Sequence, residues 1–107
     1  MKPGIIMGDI FEKSVQLAKQ KGYEEQFLGL PGIKSIFIGH SIGIELVESP
    51  IISKGKKDVL KPGMVFAMEP KFNFKNEFAA GIESVIQITE DGAQFLSTTP
   101  HKIFICK

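Results

Sequence analysis

A change of periodicity at Leu30-Pro31-Gly32 constrains this chain more than any other feature. Before it, apolar residues recur at three- and four-residue intervals; after it, short runs rich in Ile, Val and Phe are separated by turn-forming residues. Asp9-Ile-Phe-Glu12 has the capping-box form, in which the Asp9 carboxylate accepts from an orphan N–H and Glu12 reaches back to the cap. Ile10, Ser14, Val15, Leu17 and Ala18 supply a modest stripe, Lys19 and Lys21 suit the negative helix end, and Gly22 is free to take the left-handed stop. The pattern predicts a helix over residues 9–21, with a short further turn over 23–28.

Strands are expected over residues 35–39, 42–47, 64–72, 82–89 and 93–96. Pro50, Lys54-Gly55-Lys56-Lys57-Asp58 and Lys61-Pro62-Gly63 read as one long connection, and Glu90-Asp91-Gly92 as a hairpin turn. One helix followed by several antiparallel strands is an α+β arrangement. A chain of 107 residues without a linker, repeat or low-complexity tract is expected to be one unit, too short for two catalytic domains.

Composition removes several classes of function. A net charge of +1 gives no electrostatic case for nucleic acid or an acidic membrane, and no apolar run is long enough to cross a bilayer. Lys54, Lys56 and Lys57 lack the glycine-rich cradle and following helix of a phosphate loop and read as a solvated connection. Cys106, the single cysteine, has no intrachain partner, and the start lacks a leader's apolar core; together they suggest a reducing, cytoplasmic setting.

Three side chains carry the candidate chemistry. On the strand predicted over 64–72, Val65, Ala67 and Glu69 share one face, with Met64, Phe66 and Met68 on the other. On the strand over 82–89, Glu83 lies on the side of Val85, Gln87 and Thr89, opposite Ile82, Ser84, Ile86 and Ile88. A carboxylate set against apolar strands is costly unless it is paired, neutralised or bound to a cation. His40 sits at an expected glycine-flanked bend, and an imidazole with two carboxylates is a metal-binding donor set if the sheet brings them together. Spacing alone leaves a structural histidine and two surface glutamates as the alternative.

Whole segments change that balance. Ile38-Gly-His-Ser-Ile-Gly-Ile44, Leu60-Lys-Pro-Gly-Met-Val-Phe-Ala-Met-Glu-Pro70 and Gly81-Ile-Glu-Ser-Val-Ile-Gln-Ile-Thr-Glu-Asp-Gly92 occur in the order of three blocks of one family. The chain resembles the C-terminal half of the catalytic domain of the pita-bread metallopeptidases, the Xaa-Pro dipeptidases and Xaa-Pro aminopeptidases related to methionine aminopeptidase and creatinase. The helix, Gly22-Tyr23 and the closing Leu96-Ser-Thr-Thr-Pro100 also fit in order.

The resemblance implies that His40, Glu69 and Glu83 are three of five ligands to two divalent ions, Mn²⁺, Co²⁺, Fe²⁺ or Zn²⁺, which activate a water against a peptide carbonyl. Glu69 is implied to shuttle the proton as well. The family's two ligand aspartates have no counterpart: Asp9 reads as a helix cap, Asp58 and Asp91 as loop residues. The isolated chain is therefore expected to be inactive. Val47 occupies the position of a second histidine common in proline-specific members, and Gly81 that of an arginine. Glu48 is assigned no role, and His101 is expected at the surface. Phe66, Phe72, Phe74, Phe78 and Phe104 suggest uncovered apolar surface, hence a homo-oligomer or pairing with the domain's other half. Two further readings use the same fold: a non-catalytic association module, and a non-peptidase hydrolase.

Overall fold

In the computed structural model, which describes residues 1–106, helix α1 (Met7–Gln20) is followed by seven strands. These are β1 (Phe37–Ser41), β2 (Glu48–Ser53), β3 (Val65–Met68), β4 (Lys71–Phe74), β5 (Phe78–Gly81), β6 (Ser84–Ile88) and β7 (Ala93–Phe95). Five of them form an antiparallel sheet in the order β2-β1-β3-β6-β7, and β4 and β5 form a separate hairpin. The α+β expectation, one N-terminal helix on a mostly antiparallel sheet, is borne out.

The helix begins two residues earlier than the capping box implies, and Asp9 is not its cap. Ile6 is the N-cap and makes no side-chain capping bond. The orphan donors are taken by a distant loop instead: Met7 N–H donates to the Asp58 carbonyl at 2.8 Å and Gly8 N–H to that of Lys56 at 3.0 Å. At the other end Gly22, at φ +80°, closes a Schellman motif. Its N–H donates to Lys19 and that of Tyr23 to Ala18, at 3.0 and 2.9 Å. The buried stripe is Met7, Phe11 and Ala18, whereas Leu17 is half exposed.

Residues 42–47 are not a strand. The β1–β2 register closes with Ser41 opposite Glu48, so beyond Ile42, whose N–H donates to the Val65 carbonyl at 3.1 Å, this apolar-alternating segment pairs with no strand and forms an exposed bend. Conversely, β2 lies in the stretch expected to be connection. Pro50 is tolerated there because β2 is the sheet's edge. The expected strand over 64–72 is broken at Glu69-Pro70 into β3 and β4. Asn76, at φ +60°, turns the β4–β5 hairpin.

Phe66, Met7, Ile52, Leu60 and Ile88 are almost wholly buried and make the centre of the core, with Phe11, Phe27, Leu28 and Ile38 around them. Phe72 packs on Phe27 and Tyr23 at centroid distances of 5.2 and 5.5 Å, fixing the β4–β5 hairpin to the chain that leaves the helix.

Candidate metal-binding site

The middle of the sheet sets the spacing of the candidate donors. His40 pairs with Ala67 across β1–β3, and Met68 pairs with Ser84 across β3–β6. Glu69 follows Met68 and Glu83 precedes Ser84, so the two carboxylates stand one residue beyond the last pair of the same ladder. Glu69 N–H donates to the Ile38 carbonyl at 2.8 Å, which ties the end of β3 to β1. His40 and Glu69 thus lie diagonally across one seam, on the same face as Ala67, whose small side chain leaves them room to meet.

They do meet. His40 Nε2 is 2.9 Å from Glu69 Oε1, with the imidazole 6% and the carboxylate side chain 33% exposed. The other ring nitrogen, Nδ1, lies 3.0 Å from the Ser41 carbonyl oxygen. A carbonyl can only accept, so Nδ1 carries a proton and Nε2 is the atom turned toward the carboxylate. At 2.9 Å, the Nε2 lone pair and a carboxylate oxygen repel unless a proton or a cation lies between them. Histidines that bind metals commonly donate their second N–H to a backbone carbonyl in this way.

Glu83 is exposed and stands apart from that pair; it shares a shallow depression with Glu69, Pro70, Lys71, Gly81 and Ile82. Among the described residues no three His, Cys, Asp or Glu side chains converge closely enough to enclose an ion. The donor types suit a divalent cation, and the convergence seen is that of two groups, His40 and Glu69.

His40 lies within β1 and is nearly buried, not at the glycine-flanked bend the sequence suggests. Gly39 is there because of close approach: a Cβ would sit 2.6 Å from the Ala67 carbonyl oxygen and 2.7 Å from Met68 Sδ. Val47 is 60% exposed in the β1–β2 bend, and Gly81 ends β5 opposite Lys71. Glu48 is occupied locally, accepting from the Glu45 N–H at 2.7 Å. His101 is exposed as expected, yet its ring meets Phe95 edge-on at 4.7 Å and its Nε2 is 3.0 Å from Ser84 Oγ, contacts with no sequence signal. Asp9, Asp58 and Asp91 lie in the helix's first turn, in a loop paired with Lys56, and in a turn, all exposed.

Comparison with known proteins gives the family and the fold. The sequence profile of metallopeptidase family M24 matches residues 1–90. A probable dipeptidase, PepE, of Mycobacterium tuberculosis is 30% identical over 98% of the chain and 26% of its own length. The Xaa-Pro dipeptidase of Pyrococcus furiosus is 31% identical over 95% of the chain and 27% of its own length. The crystal structure of an X-Pro aminopeptidase from Thermotoga maritima superimposes with a TM-score of 0.86 at 30% identity, covering 98% of this chain and 28% of that one. The chain therefore spans about a quarter of the length of the curated relatives it matches.

Proposed function

The chain belongs to metallopeptidase family M24, and from that premise we propose that residues 1–107 are the C-terminal part of a metal-dependent Xaa-Pro dipeptidase or aminopeptidase catalytic domain. His40, Glu69 and Glu83 are its contribution to the metal ligands. The observation that carries this reading is the His40 Nε2–Glu69 Oε1 approach at 2.9 Å, with Nδ1 committed to the Ser41 carbonyl. Glu83 supports it by standing beside Glu69 along the β3–β6 seam, on the rim of one depression.

Membership of a metallopeptidase family brings divalent-metal chemistry, and two ions of Mn²⁺, Co²⁺, Fe²⁺ or Zn²⁺ would supply the charge that turns a water into a nucleophile. The protein's own residues divide the remaining work. The Ser41 carbonyl keeps a proton on His40 Nδ1 and so leaves Nε2 as the donor atom. Glu69 uses Oε1 toward His40, and Oε2, which has no hydrogen bond among the described residues, is the atom that accepts a proton from the attacking water and returns it to the leaving amine. The substrate is an N-terminal peptide bond, Xaa-Pro in the names of the Pyrococcus furiosus and Thermotoga maritima relatives. Val47 offers it no hydrogen bond.

Of the phenylalanines expected to be uncovered, Phe66 is instead the centre of the core and Phe72 and Phe74 are half-buried, whereas Phe78 and Phe104 are exposed; with Leu17, Ile82, Phe95 and Leu96 these support a partner surface, either the rest of the domain or a second copy. The single free cysteine supports a reducing compartment, the cytoplasm. No helix among the described residues is long and apolar enough to cross a membrane. Neither the association-module reading nor the non-peptidase hydrolase reading has an observation of its own.

Calorimetric titration of Mn²⁺ and Co²⁺ into the purified chain tests the site. Saturable uptake that Glu69→Gln abolishes is expected. Uptake indifferent to Glu69→Gln would overturn the ligand assignment, and no uptake would mean that the ions are held only when the rest of the domain is present. Hydrolysis of Xaa-Pro dipeptides by this chain alone is not expected, since no aspartate joins the donor set; cleavage lost on Glu83→Gln would prove that wrong.

A further inference from the structure

We propose that Ser41 is a positioning residue that aims the His40 imidazole, and that it does so through its side-chain hydroxyl as well as its carbonyl. The proposal rests on the reading of His40 as a metal ligand and adds to it a residue that touches neither metal nor substrate.

The β1–β2 ladder is irregular at this point. His40 pairs with Ile51, but the next residue, Ser41, pairs with Glu48, so Ser49 and Pro50 are left over on β2. Pro50 has no N–H, and its carbonyl lies in the interrupted part of the ladder. The Ser41 hydroxyl donates to that carbonyl at 2.9 Å and takes the place of the missing rung. Ser41 is 8% exposed, so water is a poor substitute for this bond.

The same residue's carbonyl faces back to its neighbour and accepts the proton of His40 Nδ1 at 3.0 Å. Hydroxyl and carbonyl act as two ends of one strut. The first anchors the residue to β2, and the second fixes the ring so that Nε2 points at Glu69. An alanine here keeps the carbonyl atom but releases its anchor and leaves the Pro50 oxygen without a partner. The ring then gains freedom about its side-chain torsions, and the second nitrogen loses its fixed hydrogen bond.

The test uses the chain itself, labelled with ¹⁵N-histidine, and reads the His40 Nδ1–H line and its exchange with water, without metal. Four proteins are compared: wild type, Ser41→Ala, Ser41→Thr, which keeps the hydroxyl, and Ser41→Val, which matches threonine in shape without it. The Ile42 N–H bonded to the Val65 carbonyl reports whether the sheet is intact. A protected Nδ1–H line is expected in wild type and in Ser41→Thr, with exchange ~10-fold faster in Ser41→Ala and Ser41→Val, the change in opening equilibrium that loss of one hydrogen bond gives. Equal protection in the Thr and Val proteins, or no protected line in wild type, would overturn the proposal. Adding Zn²⁺ to wild type then tests the underlying reading by itself: a shift of the Nε2 resonance is expected. A protected Nδ1–H beside an unmoved Nε2 would remove the ligand role while leaving the strut demonstrated.

Discussion

The centre of the five-stranded sheet and the β4–β5 hairpin beside it are both antiparallel, yet they treat their side chains in opposite ways. On β3, Phe66 and Ala67 are fully buried although they point to opposite faces, so that strand is covered on both sides. Every residue of β5 is exposed, and the hairpin is held by aromatic contacts among Tyr23, Phe27, Phe72, Phe74 and Phe78. His40 belongs to the first region, and Glu69 and Glu83 stand at the junction of the two, each one residue beyond the last β3–β6 pair. A side chain meant to hold one geometry is better carried by a strand locked on both faces than by a solvated hairpin.

Substitutions ranked by expected effect break or sharpen that contrast. Phe66→Ala should cost about 3–5 kcal/mol in urea unfolding, because it opens a cavity at the most buried position of β3. A loss below about 1 kcal/mol would mean that the sheet centre is not the stability centre. Gly39→Ala comes next, at about 1–3 kcal/mol, since the added methyl meets the Ala67 carbonyl and drives β1 from β3. It should also abolish the protected His40 Nδ1–H line, which an effect confined to stability would leave intact.

On the hairpin, Phe78→Ala removes a ring that stacks on Phe74 at 4.6 Å but is 56% exposed, and about 1 kcal/mol is expected. A cost matching Phe66→Ala would erase the distinction between the regions. Val47→Ser in the exposed β1–β2 bend should leave the unfolding midpoint within about 0.5 kcal/mol of wild type. A larger loss there would show that the bend is packed in solution.

What the sequence disclosed follows the same boundary. Four of the five strands of the main sheet, β1, β3, β6 and β7, overlap segments expected from their Ile, Val and Phe content, and the helix stop at Gly22 was legible from one residue's backbone freedom. Features created by distant parts of the chain were not. The Asp9 capping box is intact as a pattern but unused, because backbone carbonyls from the 56–60 loop occupy the helix start. Strand β2 was hidden by Pro50, whose place at a sheet edge is a property of the assembled topology. Residues 42–47 mislead in the other direction, as their apolar alternation is real and their pairing partner is not.

Of the candidate site, the residue types were readable and the geometry was only half so. Alternation along the strands put Glu69 on the Ala67 face and Glu83 on the Val85 face, and the register sets those residues on one seam. That Glu69 would reach His40 while Glu83 stayed exposed depended on where β3 and β6 end, which local sequence does not specify. The role of Ser41 depended on the irregularity opposite it, a two-strand property with no single-strand signature.

The unused capping box has a consequence for the order in which the molecule assembles. The Met7 and Gly8 donors are satisfied by carbonyls half the chain away, and Gly8 has no room for a side chain against Lys56. Helix α1 is made before the loop that completes its start, and it remains a marginal, fraying segment until the 56–60 loop has been synthesised and docked. Its formation is a long-range event that waits on a loop lying beyond two strands in the chain.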